Sequence, residues 1–289
     1  MSTLTADQKP ASHFSEAESV DVVNARMDAA VNPRLRQVMG ALVSHLHAFA
    51  KEIQLTQDEW GYAIDFLTAT GQICTAERQE FILLSDTLGF SMLVDAINNR
   101  RPPGATENTV FGPFHVDGAP VREMGACISF DGKGDLCRYE GRVLDLEGRP
   151  ISGAIIDVWS DNSEGFYDVQ QPDIQPRWNN RGIFITGPDG EYNFVGIKPV
   201  SYPIPDDGPV GQMLGKLGRH PNRPAHIHFL VKAAGFETLV THTFVGGDQY
   251  LDSDTVFGVK KTLIAPWDRV DDGEILWRSP FDFVLVPTA

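Results

Sequence analysis

Between positions 16 and 99 the apolar residues return at three- and four-residue steps, as in Val38, Leu42, Val43, Leu46, Phe49 and Ile53. That spacing forms one stripe along an α-helix. Thr56 followed by Glu59 is a capping box just before Trp60; Ile64, Phe66 and Leu67 continue the stripe until Gly71, where a helix can stop. Two more helices are predicted, from 75 to about 88 and from 89 to 99, and residues 1 to about 15 are polar and read as a frayed end. No chemical motif accompanies these stripes. They serve equally well as ordinary core or as a face for a partner.

The helical period breaks at Arg101-Pro102-Pro103-Gly104. Beyond it lie short runs rich in Val, Ile, Phe and Tyr, predicted as strands over 139–144, 154–159, 182–186, 192–195, 226–231 and 241–245. Gly187-Pro188-Asp189-Gly190 is a turn between two of them, with Pro setting φ and Gly accepting a positive φ. The expected class is α+β: a helical lobe over 1–105, then an antiparallel β-sandwich over 106–289.

Composition narrows the class without changing it. With 42% hydrophobic and 22% charged residues the chain is globular, and a formal charge of -15 argues against nucleic acid or an anionic membrane as partner. The first residues show neither a basic n-region nor an apolar h-region, and no apolar run reaches the ~20 residues of a membrane helix. Cys74, Cys127 and Cys137 have no C-x-x-C spacing and read as free thiols, so a cytoplasmic location is expected.

The chemistry gathers at Arg223-Pro224-Ala225-His226-Ile227-His228-Phe229-Leu230-Val231. Alternate strand residues share a face, so His226 and His228 would project side by side as neutral imidazoles suited to a metal. The three cysteines do not cluster, which disfavours a structural zinc site, and no carboxylate follows His228 as a cupin-type iron site would require. Two tyrosines remain as partners. Tyr167 stands where the apolar run ending at Trp159 gives way to polar residues, and Tyr202 precedes a proline that extends its backbone.

The run Gly141-Arg142-Val143-Leu144-Asp145-Leu146-Glu147-Gly148-Arg149-Pro150-Ile151-Ser152-Gly153-Ala154, then Trp159, Gly165, Tyr167 and Tyr202, then Arg223 to His228, resembles the signature of the intradiol ring-cleaving dioxygenases in order and spacing. The helical lobe resembles the dimerisation domain of the catechol-type branch. The resemblance implies a non-haem Fe(III) held by Tyr167, Tyr202, His226 and His228, with Tyr202 displaced when substrate arrives. Phenolate is a hard, anionic donor that favours the ferric state. It also implies that Arg223 stabilises charge developing on the substrate, and that dioxygen opens the ring of an aromatic diol between its two hydroxylated carbons. His242 stands where catechol-cleaving relatives commonly carry Gln, so its catalytic part, polar support or proton relay, stays open. A homodimer through the helical lobe, with phospholipid enclosed, is a further implication of the resemblance.

Within the family, the segments Thr109 to Phe114 and Tyr202 to Gly211 look more like the hydroxyquinol branch than the catechol branch. In that branch the residues matching Leu83, Asp86, Val110, Phe111, Gly112, Pro113, Phe114, Ile204, Pro205 and Val256 line the substrate cavity. Asp86 is the distinguishing member, since a carboxylate on an otherwise apolar helix could accept a hydrogen bond from a third ring hydroxyl. Hydroxyquinol would then be opened to 3-hydroxy-cis,cis-muconate. Catechol or chlorocatechol cleavage is the neighbouring alternative. A zinc hydrolase built on the two histidines, or a non-catalytic transthyretin-like sandwich binding a small ligand, are the remoter ones.

Overall fold

The computed structural model describes residues 13–75 and 78–288. The first twelve positions of the predicted frayed end, and two positions of the predicted 75–88 helix, lie outside the described residues. The chain divides into two compact units at Ala69/Thr70.

The first unit is helical. It holds α1 (Ser19–Ala25), α2 (Pro33–Glu52) and most of α3 (Gln57–Gln72). Pro at the first position and the Asn32 side chain, which accepts the Leu35 N–H at 3.0 Å, start α2. The predicted capping box of α3 is formed: Thr56 N–H donates to Glu59 Oε2 at 2.9 Å and Glu59 N–H to Thr56 Oγ1 at 3.3 Å. The stripe on α2 does not act as core here. Val38, Leu42, Leu46, Phe49 and Ile53 are 44% to 55% exposed, which leaves that face open.

The second unit opens with α4 (Glu80–Thr87) and α5 (Phe90–Asn98). Helix α4 begins later than the sequence suggests, because Thr75 and Arg78 pair with each other: Thr75 N–H donates to the Arg78 carbonyl at 2.8 Å and Arg78 N–H to Thr75 Oγ1 at 3.0 Å. The strands follow as β1 (Leu136–Leu144), β2 (Ile155–Trp159), β3 (Arg181–Ile185), β4 (Glu191–Ile197) and β5 (Tyr202–Pro203). After α6 (Pro209–Lys216) come β6 (Asn222–Arg223), β7 (His226–Lys232), β8 (Leu239–Val245), β9 (Ile264–Ala265), β10 (Asp268–Asp272), β11 (Ile275–Pro280) and β12 (Phe283–Val284).

One sheet runs β10-β11-β1-β12 with β4 also on β1; the other runs β3-β2-β7-β8-β9. Most pairings are antiparallel, as expected of a sandwich. The C-terminal strands add parallel ones, β11 and β12 against β1 and β9 against β8, that the sequence did not announce. The core joins Cys137, Tyr139 and Val143 of β1 and Phe194 of β4 to Ile156 and Val158 of β2 and Phe229 and Val231 of β7. Burying each large side chain contributes about 1.5–3 kcal/mol.

Strand β7 converts this packing into a site. Ile227, Phe229 and Val231 enter the core, so the two-residue period turns His226 and His228 onto the other face. The register between β7 and β8 sets His242 opposite His228.

Candidate metal centre

Four donors meet at that face. His228 Nε2 is 3.0 Å from Tyr167 Oη, Tyr167 Oη 3.3 Å from Tyr202 Oη, and Tyr202 Oη 3.4 Å from His226 Nε2. All four side chains are buried. Donors about 2.0–2.2 Å from one shared ion stand roughly 3 Å apart, so these spacings suit a single metal. His226, His228 and His242 also form a group with ligand atoms within 4.8 Å of one another. The tyrosine-histidine set forms a chain of neighbouring donors 3.0 to 3.4 Å apart.

The surrounding contacts orient each ligand. His226 Nδ1 donates to the Pro224 carbonyl at 2.7 Å, which leaves Nε2 with its lone pair toward the centre. His228 is held by stacking instead: Trp159 lies 4.8 Å away at 16°, and the His242 ring meets it edge-on at 4.0 Å. Phe114 stacks on Tyr167 at 4.5 Å. The residue after Tyr167 is anchored by a buried ion pair, Arg181 Nε to Asp168 Oδ1 at 2.6 Å.

Burial, helped by Arg223, pushes the His226 imidazole down to about 3. Burial and the neighbouring imidazoles drive His228 and His242 well below the ordinary histidine range. All three are neutral. Burial also raises both phenols, with Tyr202 adding to the effect on Tyr167 and Arg223 opposing it at Tyr202. Phenolates form here only if a cation arrives.

Arg223 Nη1 lies 3.1 Å from His226 Nε2, beside the donor set. His242 is buried with neither ring nitrogen in a well-formed hydrogen bond, and the Val110 backbone faces it. Gly112, at φ +76°, brings its backbone against His228, so that a Cβ there would lie 3.0 Å from Cε1. Ile204, Leu214 and Val256 are buried together with Leu83 packed on them. Asp86 is half-buried, and desolvation raises its carboxyl, with Ser91 and the charge of Arg223 opposing the rise and the charge of Asp254 adding to it. Phe111 lies 5.6 Å from Trp159, while Pro113 and Pro205 are exposed.

Sequence reasoning missed Trp159 as the stacking partner of His228, Ser91 as a partner of Asp86, Asp254 as a partner of Arg223, and the Asp168–Arg181 pair. Only Asp168 carried a local signal, as the acidic neighbour of Tyr167.

Residues 110–287 match the family described as Dioxygenase, and residues 32–106 match the one described as Catechol dioxygenase N terminus. The chain belongs to the intradiol dioxygenase family. This dioxygenase is 54% identical to hydroxyquinol 1,2-dioxygenase of Rhizobium sp. (strain MTP-10005), over 94% of this chain and 96% of that protein. It is 53% identical to 6-chlorohydroxyquinol 1,2-dioxygenase of Cupriavidus pinatubonensis, over 95% and 99%. The solved hydroxyquinol 1,2-dioxygenase from Pseudomonas putida DLL-E4 superimposes with a TM-score of 0.91 at 46% identity, covering 94% of this chain and 99% of that one.

Proposed function

We propose that this dioxygenase opens hydroxyquinol, benzene-1,2,4-triol, between its adjacent hydroxylated carbons with dioxygen. The product is 3-hydroxy-cis,cis-muconate, a tautomer of maleylacetate, with both oxygen atoms retained. The observation that carries the substrate choice is Asp86, a half-buried carboxylate on a helix whose Leu83 packs on the buried Ile204, Leu214 and Val256. A carboxylate so placed accepts a hydrogen bond from the third hydroxyl, and catechol leaves it unpaired. Relatives named for hydroxyquinol and its 6-chloro analogue support the same reading.

The residues fit a non-haem Fe(III). Two phenols that ionise only beside a cation offset two of its three charges, and two neutral imidazoles complete four ligands: Tyr167, Tyr202, His226 and His228. Held there, a ferric ion would supply a Lewis-acidic site for both hydroxyls of the diol and would make the ring reactive toward dioxygen. Tyr202, 7% exposed against 0% for Tyr167, would be the one released by substrate, and its phenolate would take a proton from a substrate hydroxyl. Arg223, permanently charged beside His226, stabilises the anionic ring. His242, neutral and without a firm partner, gives polar support or relays a proton beside them. In this reading Leu83, Ile204 and Val256, which pack together, supply an apolar wall of the substrate cavity, and Val110 to Phe114, with Pro205, line the rest of it.

In this reading the helical region through residue 105 is the dimerisation and linker domain and 106–289 is the catalytic one. The open α2 face, with Leu42, Leu46 and Phe49 exposed, supports a homodimer and a seat for phospholipid. No helix among the described residues is long and apolar enough to cross a membrane; the expected cytoplasmic location is part of the same reading. Colour tests the metal assignment. Tyrosinate bound to Fe(III) gives a burgundy protein with one iron per chain, whereas an active, colourless, iron-free preparation overturns it.

A further inference from the structure

Asp254 lies outside every residue given a role so far, and its carboxylate is 2% exposed. Oδ1 accepts from Arg223 Nε at 3.2 Å and Oδ2 from Arg223 Nη2 at 3.4 Å, so one edge of the guanidinium is occupied. The other edge, through Nη1, meets His226 Nε2 at 3.1 Å. The same carboxylate accepts the backbone N–H of Val256 at 3.3 Å on Oδ1 and of Gly258 at 2.9 Å on Oδ2. The pair is seated flush against backbone: a Cβ at Gly258 would stand 2.9 Å from Arg223 Nη2 and 3.1 Å from Asp254 Oδ2.

One guanidinium therefore serves a region with two carboxylates, since Asp86 also senses Arg223 and Asp254. Buried opposite charges pair when geometry allows, and a guanidinium favours a two-point partner. Without Asp254, the Nε edge of Arg223 would lose its two-point partner. We infer that Asp254 is a positioning residue that sets substrate specificity, holding Arg223 by its Nε edge so that the Asp86 carboxylate stays free for a third ring hydroxyl. The inference rests on the role given to Asp86 in the proposed function. Asp254 has a second hold on the same cavity, because the Val256 backbone it fixes carries a side chain of the apolar wall. Guanidinium and wall are thus placed by a single group.

The test uses iron-loaded, full-length protein with Asp254→Asn, Asp86→Asn and the double variant, comparing kcat and KM for hydroxyquinol and catechol and recording the tyrosinate-to-iron band. Asp254→Asn is expected to lower the hydroxyquinol-to-catechol ratio of kcat/KM about tenfold, chiefly through KM for hydroxyquinol. In the Asp86→Asn background the same change should leave the ratio unaltered. Equal losses on both substrates, or a further fall of the ratio in the double variant, would overturn the inference. Asp254→Glu guards against a variant that fails to load iron. It keeps the charge but displaces the guanidinium by about one methylene, so the ratio should fall about threefold, again only where Asp86 is present; an unchanged ratio in the iron-loaded Glu variant also overturns it. If Asp86→Asn itself leaves the ratio unchanged, the role of Asp86 fails, and this inference with it. If Asp86→Asn collapses the ratio and the Asp254 variants do not, only this inference fails.

Discussion

Replacing Gly112 by Ala tests how the cavity segment is seated on the metal site. Gly112 has φ +76°, and a Cβ there would lie 3.0 Å from His228 Cε1 and 3.7 Å from Nε2. The ring cannot retreat freely, with Trp159 stacked at 4.8 Å and His242 against it at 4.0 Å. An L-residue in the left-handed region costs roughly 1–2 kcal/mol. A carbon contact pushed well inside its optimum near 3.5–4.0 Å adds about 1 kcal/mol unless the ring tilts. The sum of ~2–3 kcal/mol corresponds to a fall in Tm of about 4–12 °C for a unit of this size. Tilting His228 relieves part of the strain but turns Nε2 away from Tyr167 Oη, so iron content falls and kcat drops on the order of tenfold. Scanning calorimetry, iron analysis and the tyrosinate-to-iron absorption read these effects on one preparation. An Ala variant with the parent's Tm, iron content and absorption maximum would refute the reasoning.

Three other outcomes follow from the same geometry. Asp86→Asn should lower kcat/KM for hydroxyquinol about tenfold more than for catechol, and equal losses would remove the selectivity argument. Because burial raises the Asp86 carboxyl above its ordinary value, the preference for hydroxyquinol should weaken on acidification at a pH above 3.8 as the carboxylate takes a proton; the Asp86→Asn variant should show no such step. Tyr167→Phe should abolish iron binding and colour, whereas Tyr202→Phe should retain iron and lose rate, which iron analysis beside oxygen uptake distinguishes. Asp161 is fully buried with Oδ2 unpaired, and burial holds its carboxyl well above the ordinary range. Such a group favours folding below about pH 4 and opposes it as pH rises, so Asp161→Asn should raise Tm at pH 7 by about 2–4 °C, with the gain vanishing below pH 4.

The side-by-side placement of His226 and His228 was legible because a strand's period is two and the pair flanks one core residue. Tyr167 and Tyr202 were legible only through resemblance: a tyrosine at a strand end and a tyrosine before proline carry no metal signal alone. The groups that orient the site escaped for a different reason. Arg223 and Asp254 are 31 positions apart and Asp168 and Arg181 are 13 apart, so each pair exists only once loops have closed. Trp159 stacks on His228 because β2 pairs with β7 in that register, which no local pattern encodes. The late strands escaped as well: β10 and β11, Asp-Arg-Val-Asp-Asp and Ile-Leu-Trp-Arg-Ser-Pro, lack the alternation of a half-buried strand; β11 is recruited by β1 from more than a hundred positions away, and β10 joins the sheet through β11. The α2 stripe was visible from its period, but its exposure was not.

The central claim is met most directly by oxygen uptake of the iron-loaded enzyme on hydroxyquinol, catechol and 4-chlorocatechol in parallel, with the product's mass determined. The account predicts one dioxygen consumed per hydroxyquinol, both its atoms in a ring-opened 3-hydroxymuconate, and a kcat/KM above that for catechol. Faster turnover of catechol, or no oxygen uptake with hydroxyquinol, would contradict it.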